Sequence, residues 1–206
     1  MFVLTVDQVR SRQRQDLVQP ALDALRTVPT RLPFTRTVGD EFQGVLEDAV
    51  SVVDAILWLM REAGWHIGIG IGAVEEPLPD DPRSARGPAF LAARSAVDRA
   101  KREPTHVCVG AADPAAVEAE DAEVVLQLLA ALRSRRTDQG WEAVDLMSAT
   151  GSRTEVAARL GVTRQAVGQR LQAASWATEQ RALPTLARLL DRADAAAAGP
   201  RSGSSP

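Results

Sequence analysis

Three acidic side chains early in the chain, Asp7, Asp40 and Glu41, are of a type and spacing suited to holding a divalent cation. Two or three clustered carboxylates are what Mg²⁺ needs, usually alongside nucleotide phosphates and water. Asp7 follows a short apolar run at residues 2–6, and Asp40-Glu41 stands between two strand-like runs, 34–38 and 42–46. With the first run beside that hairpin in one sheet, the acids converge at a sheet edge; the plainer alternative is a polar turn with exposed carboxylates. His66 and His106 each open a strand-like run with no matching ligand set and read as structural. Cys108 alternates with Val107 and Val109 and reads as buried and inert.

A second constellation lies near the other end: Thr154-Glu-Val-Ala-Ala-Arg-Leu-Gly-Val-Thr-Arg-Gln-Ala-Val-Gly-Gln-Arg-Leu171. Ser152 with Glu155 has the spacing of a capping box. Gly161 suits a helix end at positive φ, and Thr163 suits the cap of the next helix. Ala157 is small where two helices cross, while Leu160, Val162, Val167 and Leu171 supply apolar faces. That leaves Arg164, Gln165, Gly168, Gln169 and Gln172 outside on the second helix. Such donors and acceptors suit base edges and phosphates in duplex DNA, and Thr163 and Arg170 complete the expected contact set. A helical hairpin that only packs, or binds protein, is the alternative.

The elements that must position these residues change character along the chain. Up to about residue 110 strand and helix signals alternate: a strand at 2–6, a helix at 16–25 and a breaker at 29–33, then the hairpin. An amphipathic helix at 49–63 follows, with Val50, Val53, Ile56, Leu57 and Met60 on one face. Residues 66–73 read His-Ile-Gly-Ile-Gly-Ile-Gly-Ala, a period-2 strand with isoleucine on one face and glycine on the other. The glycine face leaves room for a ligand or a packed helix. Residues 77–82 read as loop, 88–102 as helix and 105–109 as a last strand, an order containing the split βαβ ferredoxin-like pattern. Beyond Gly110 the signals are helical: 114–136, with Val124, Val125, Leu128, Leu129 and Leu132 on its apolar side, then 141–149, 152–160, 163–175 and 176–190. The 114–136 and 176–190 helices are each either a dimer seam or plain core. From Ala195 the chain is Ala, Gly, Pro and Ser with one Arg, a composition expected of a disordered tail.

These motifs carry a family resemblance. Val38-Gly-Asp-Glu-Phe42 resembles the hairpin of GGDEF diguanylate cyclases and of class III nucleotide cyclases, and Phe90-Leu-Ala-Ala-Arg94 resembles the cyclase helix segment ending in Ala-Ala-Arg. More closely, Thr5-Val-Asp-Gln-Val-Arg-Ser-Arg12, residues 38–43 and 67–72, Gly87-Pro-Ala-Phe90 and Ala100-Lys101 resemble the SatD-like proteins, some of which end in a helix-turn-helix. The segment 154–171 resembles the helix-turn-helix of bacterial transcription regulators. The resemblance implies Asp7 and Asp40 as metal carboxylates, Glu41 as the GGDEF-style alternative, and Gly39, Arg94 and Lys101 as nucleotide contacts, with Mg²⁺ and a nucleotide as cofactors. Arg10 and Arg12 would meet phosphates or pair with acids. Two positions depart from the pattern: Phe90 stands where cyclases carry asparagine, and one glycine, not two, precedes Asp40.

Composition bounds these readings. The 206 residues carry 24 Lys+Arg and 27 Asp+Glu, a formal net charge of −3 that excludes gripping nucleic acid by bulk positive field. The charge is uneven: residues 1–113 carry −3, 114–149 carry −4 and 150–206 carry +4. One cysteine excludes an intramolecular disulfide. No run approaches the roughly 20 apolar residues of a membrane span, so a cytoplasmic protein is expected. The expectation is an α+β chain: a cyclase- or palm-like ferredoxin-fold domain over 1–112, a connector helix over 113–137, an all-helical helix-turn-helix domain over 138–192 and a tail over 193–206. Its expected role is DNA-binding transcription regulation as a homodimer, with the first domain sensing a nucleotide or metal or pairing chains. The rivals are a nucleotide cyclase or nucleotidyltransferase targeted to DNA, and a structural adaptor.

Overall fold

The computed structural model describes residues 1–10, 15–62, 64–79 and 82–199. The chain is α+β, with one five-stranded mixed sheet and eight α-helices among the described residues. It divides into two compact units, residues 1–127 with 186–206, and residues 128–185.

The sheet of the first unit contains β1 (Phe2–Gln8), β2 (Leu32–Arg36), β3 (Glu41–Leu46), β4 (Trp65–Ile71) and β5 (Val107–Ala111), in the order β2-β3-β1-β4-β5. β1 is antiparallel to both β3 and β4, β2 is antiparallel to β3, and β5 runs parallel to β4. β2 begins two residues before the expected start and includes Pro33. A strand at the sheet edge tolerates a residue without an N–H, and the pairing with β3 shifts register between Leu32 and Thr35. β5 starts later than expected, because His106 has a φ of 57° and interrupts the extended chain before Val107.

The period-2 pattern of β4 determines how the helices dock. Ile67, Ile69 and Ile71 are buried on one face. On the other, α3 (Pro88–Ala100) presses directly against glycine: a Cβ on Gly70 would lie 2.0 Å from the Ala89 carbonyl oxygen and 2.3 Å from the Ala93 nitrogen. Ala89, Ala93, Ala96 and Ala100 form the matching small face of α3, all fully buried. The space left by the glycines is thus filled by a helix. α2 (Ala49–Glu62) packs on β1, β3 and β4 through Ala49, Val52, Val53, Ala55, Ile56 and Leu59. Val50, expected on its apolar face, is 62% exposed, because the buried arc runs through Val52 and Ile56 instead. α1 (Val18–Leu25) completes the helices before the hairpin.

α4 (Ala116–Ser134) differs from its expected polarity. Ala119, Ala122, Leu126, Leu129 and Ala130 are buried, whereas Val124 and Leu128 stand exposed. Leu129 is buried as expected, but the inward stripe is completed by alanines and Leu126, and it leaves Val124 and Leu128 outside. α4 also closes the free edge of β5 with side chains. Glu123 accepts the Val109 N–H at 2.6 Å, and Gln127 donates to the Val107 carbonyl at 3.2 Å. Arg99 donates to the Val109 carbonyl at 2.6 Å and also pairs with Glu123. An edge strand with its backbone groups satisfied in this way offers little template for another strand.

The second unit is helical. α5 (Asp138–Thr150), α6 (Arg153–Leu160) and α7 (Arg164–Ala173) enclose Ala143, Val144, Val156, Ala157, Val167, Leu171 and Ala174. α8 (Trp176–Ala197) contains Pro184 and continues through Ala193, Ala195 and Ala197, where the composition suggested a tail; residues 200–206 of that tail lie outside the described part. No helix among the described residues is long and apolar enough to cross a membrane.

Candidate functional site

Cross-strand register brings one row of polar residues to the end of the sheet. Asp7 on β1 lies opposite Glu41 on β3 and opposite His66 on β4. One step before the Ile67–Val107 pair, His106 completes the row. Directly opposed residues point to the same face, so Glu41, Asp7, His66 and His106 line up side by side, on the face covered by α3. Asp7 and Glu41 thus stand opposite each other on neighbouring strands, Asp40 lies in the turn, and a histidine pair stands beside them.

The carboxylates are engaged by the chain's own cations. Lys101 Nζ lies 3.0 Å from Asp7 Oδ2 and 3.3 Å from Asp98 Oδ1. Arg94 pairs closely with Glu41, and its Nε lies 3.8 Å from Asp98. Thr37 Oγ1 donates to Glu41 Oε1 at 2.8 Å. The result is an alternating chain, Glu41–Arg94–Asp98–Lys101–Asp7, at the end of α3. Burial works against the Lys101 charge, but Asp7 and then Asp98 hold its ammonium above the ordinary lysine value. Asp40 and Gly39 form the hairpin turn: Gly39 has φ 62°, and its carbonyl accepts from Arg36 Nη1 at 2.8 Å. Arg10 is exposed at φ 54°, and Arg12 lies outside the described residues.

The cluster does not fit the expected Mg²⁺ site. Among the described residues no group of three or more His, Cys, Asp or Glu is placed to hold a metal ion. Asp7 and Glu41 each face a cation that neutralises the charge a metal would need. Arg94 and Lys101, expected at a nucleotide, are anchored by these same acids.

The two histidines meet across the strands. His66 Nδ1 and His106 Nδ1 are 3.2 Å apart, with ring centroids 4.8 Å apart and planes at 71°. His66 is half-buried and His106 exposed. Burial, then repulsion from His106, pushes the His66 imidazole below its ordinary value, while a hydrogen bond to the Ala100 backbone opposes this. Periodicity could not reveal the contact, because it depends on parallel pairing of strands 40 residues apart. Cys108, one row further in, is buried, and burial followed by Glu123 pushes its thiol up to about 11.

In the second unit Ser152 and Thr163 open their helices as expected. Ser152 Oγ accepts from Glu155 N at 3.4 Å, and Thr163 Oγ1 from Ala166 N at 3.1 Å. Gly161 ends α6 at φ 64°, in the left-handed region where a Cβ is strained. Val167 and Leu171 are buried, and Leu160 and Val162 pack against the same core. Arg164, Gln165, Gln169 and Gln172 are exposed on α7; Gly168 is only partly so. Arg170 turns aside to Glu142, with Nη1 to Oε2 at 3.2 Å. A groove of about 610 Å³ runs along this face, lined by Arg153, Arg164, Gln165, Gly168, Gln169 and Gln172 among others. Arg153, the first residue of α6, is an addition that the sequence pattern alone did not single out.

The second unit also holds a buried charge cluster. Arg133 and Arg136 both pair closely with Glu179, and Arg136 Nε donates to the Ala174 carbonyl at 2.9 Å. Both guanidiniums lie over the Trp141 ring, 4.7 and 4.6 Å from its centroid. The chain matches no family model, no curated protein and no solved structure.

Proposed function

We propose that the chain is a DNA-binding transcription regulator of the SatD-like kind, in which α6, the Gly161 turn and α7 act as a helix-turn-helix. The observation that carries this reading is the composition of the outer face of α7. Arg164, Gln165, Gln169 and Gln172 stand exposed on a helix capped by Thr163 and seated on a packed three-helix core. A rigid helix presenting amide and guanidinium groups is the form that reads base edges in a major groove. The local excess of basic side chains, +4 over residues 150–206, supplies attraction to phosphates.

The first unit is the regulatory part of this proposal. The order β2-β3-β1-β4, with β1 antiparallel to both neighbours, supports a ferredoxin-like, cyclase-related frame to which β5 adds a further strand. Its Asp7–Lys101 and Glu41–Arg94 pairs argue against metal-dependent turnover. They suit a sensor better: nucleotide phosphates would compete with Asp7 and Glu41 for the two cations. Exposed Val117 and Val124 on α4 are the surface proposed for pairing two chains, which would place two reading helices on two half-sites.

Selection of bound duplexes from a random pool, with and without nucleotides, tests the reading. An enriched motif whose retardation falls at least tenfold in Arg164→Ala and Gln169→Ala is the expected result. Failure to enrich any duplex, or retardation unchanged by both substitutions, overturns it.

A further inference from the structure

We propose that the His66–His106 pair is a binding site for one divalent transition-metal ion of the Zn²⁺ or Ni²⁺ class, taking the place of the proton the two rings share. The inference stands apart from the DNA-binding proposal and from the carboxylate cluster, whose acids are engaged by Arg94 and Lys101.

Separation comes first. Two imidazole nitrogens 3.2 Å apart can be joined by a hydrogen bond or by a common ion. Zinc–nitrogen bonds of about 2.0–2.1 Å at a ligand angle of about 100° also set two nitrogens roughly 3.2 Å apart. The pair is thus spaced as two adjacent ligands of a tetrahedral ion, with no movement of the strands.

Orientation is the second observation. Nδ1 of His66 faces Nδ1 of His106 across the strands, so each ring turns the same nitrogen toward the other. The backbone of His106 is held in place: its amide N–H donates to the Glu103 carbonyl at 3.0 Å, and its carbonyl accepts from Ile67 N at 2.8 Å. His106 is thereby held just before β5, beside His66 on β4.

Access and charge are the third. His106 is exposed, so an ion can arrive from solvent, and the charge of Asp7, in register beside His66, is balanced by Lys101. No third His, Cys, Asp or Glu among the described residues completes a protein-only ligand set, so water fills the other positions. Such a site favours ions that prefer imidazole over the oxygen-seeking Mg²⁺ or Ca²⁺.

Titration of the full-length chain with Zn²⁺ and separately with Ni²⁺, by calorimetry in a non-chelating buffer near neutral pH, tests the proposal. One ion per chain is expected, with Mg²⁺ giving no heat. His106→Gln, a change at an exposed ring, is expected to weaken binding at least tenfold, and His66→Gln likewise, with the double variant no weaker than the weaker single. Circular dichroism of His106→Gln confirms that the comparison is between folded proteins. Binding equal in wild type and His106→Gln, or no binding to wild type at all, leaves only a hydrogen-bonded pair and overturns the proposal.

Discussion

Three residues show how environment, not residue type, sets behaviour. Glu179 is paired with both buried arginines, Arg133 and Arg136. Removing one member of a buried ion group leaves charge without compensation, so Glu179→Gln is expected to destabilise the second unit by about 3–5 kcal/mol. Urea unfolding followed by the fluorescence of Trp141 and Trp176 reads this; a loss under about 1 kcal/mol would contradict it. Cys108, with its thiol pushed up to about 11, is expected to stay unmodified by a thiol reagent at mildly alkaline pH until the protein unfolds. His66 is held below its ordinary 6.5, so the unfolded chain binds the proton more readily than the folded one. Its contribution is complete above 6.5 and is lost as pH falls from there through the folded value. Asp16 and Asp48 are both held below their ordinary 3.8, and their contributions fade only as pH falls below that value. A decline in the urea midpoint between about pH 7 and pH 5 that flattens in His66→Gln therefore reports the histidine. A decline of equal size in both proteins would assign it elsewhere.

At the scale of elements, close approach and turn geometry separate two kinds of glycine. Gly70 is required by packing, since an added Cβ would meet α3 backbone at 2.0 Å. Because backbone cannot rotate away as a side chain does, Gly70→Ala is expected to cost several times as much as Gly161→Ala. Around Gly161 there is open space but a φ of 64°, so alanine there carries only the conformational penalty, about 1 kcal/mol. Thermal melting of the two variants compares them directly, and equal shifts would overturn the packing account. α3 and the β4 glycines were legible as a pair only in part: the isoleucine–glycine alternation marked a strand with one empty face, but not what filled it. α4 shows the complementary, partial failure: Leu129 is buried as expected, but Ala119, Ala122 and Ala130 share its buried face while Val124 and Leu128 remain outside.

For the molecule as a whole, charge is divided unevenly along the chain. In the proposed regulator an acidic body carrying a +4 segment would limit non-specific attachment to DNA, so affinity should depend on few phosphate contacts. The proposed regulator is expected to lose affinity with added salt along a shallow log–log slope. That slope should flatten by about one unit in Arg153→Gln if this side chain meets a phosphate. Incubation with ATP or GTP and Mg²⁺ or Mn²⁺ is expected to yield no cyclised or condensed product, as Asp7 and Glu41 already face Lys101 and Arg94. Product formation that vanishes in Asp40→Asn would establish the enzyme reading instead.

By itself the sequence determined what depends on neighbours a few residues apart. The caps Ser152 and Thr163, the positive φ at Gly161, the buried Val167 and Leu171, and the strand periodicity of β4 all follow from local spacing. The pairing of β1 beside the hairpin, which sets Asp7 opposite Glu41, also follows from the sequence, because a hairpin and its neighbouring strand constrain one another. Only the tertiary structure decided which charges meet. It set Lys101 on Asp7, Arg94 on Glu41, two arginines on Glu179 and His66 against His106. Those partners lie tens of residues apart, and an ion pair or a shared proton leaves no periodic trace in the chain. It forms where strand register and helix docking happen to bring the groups within about 3 Å, and that is a property of the folded chain alone.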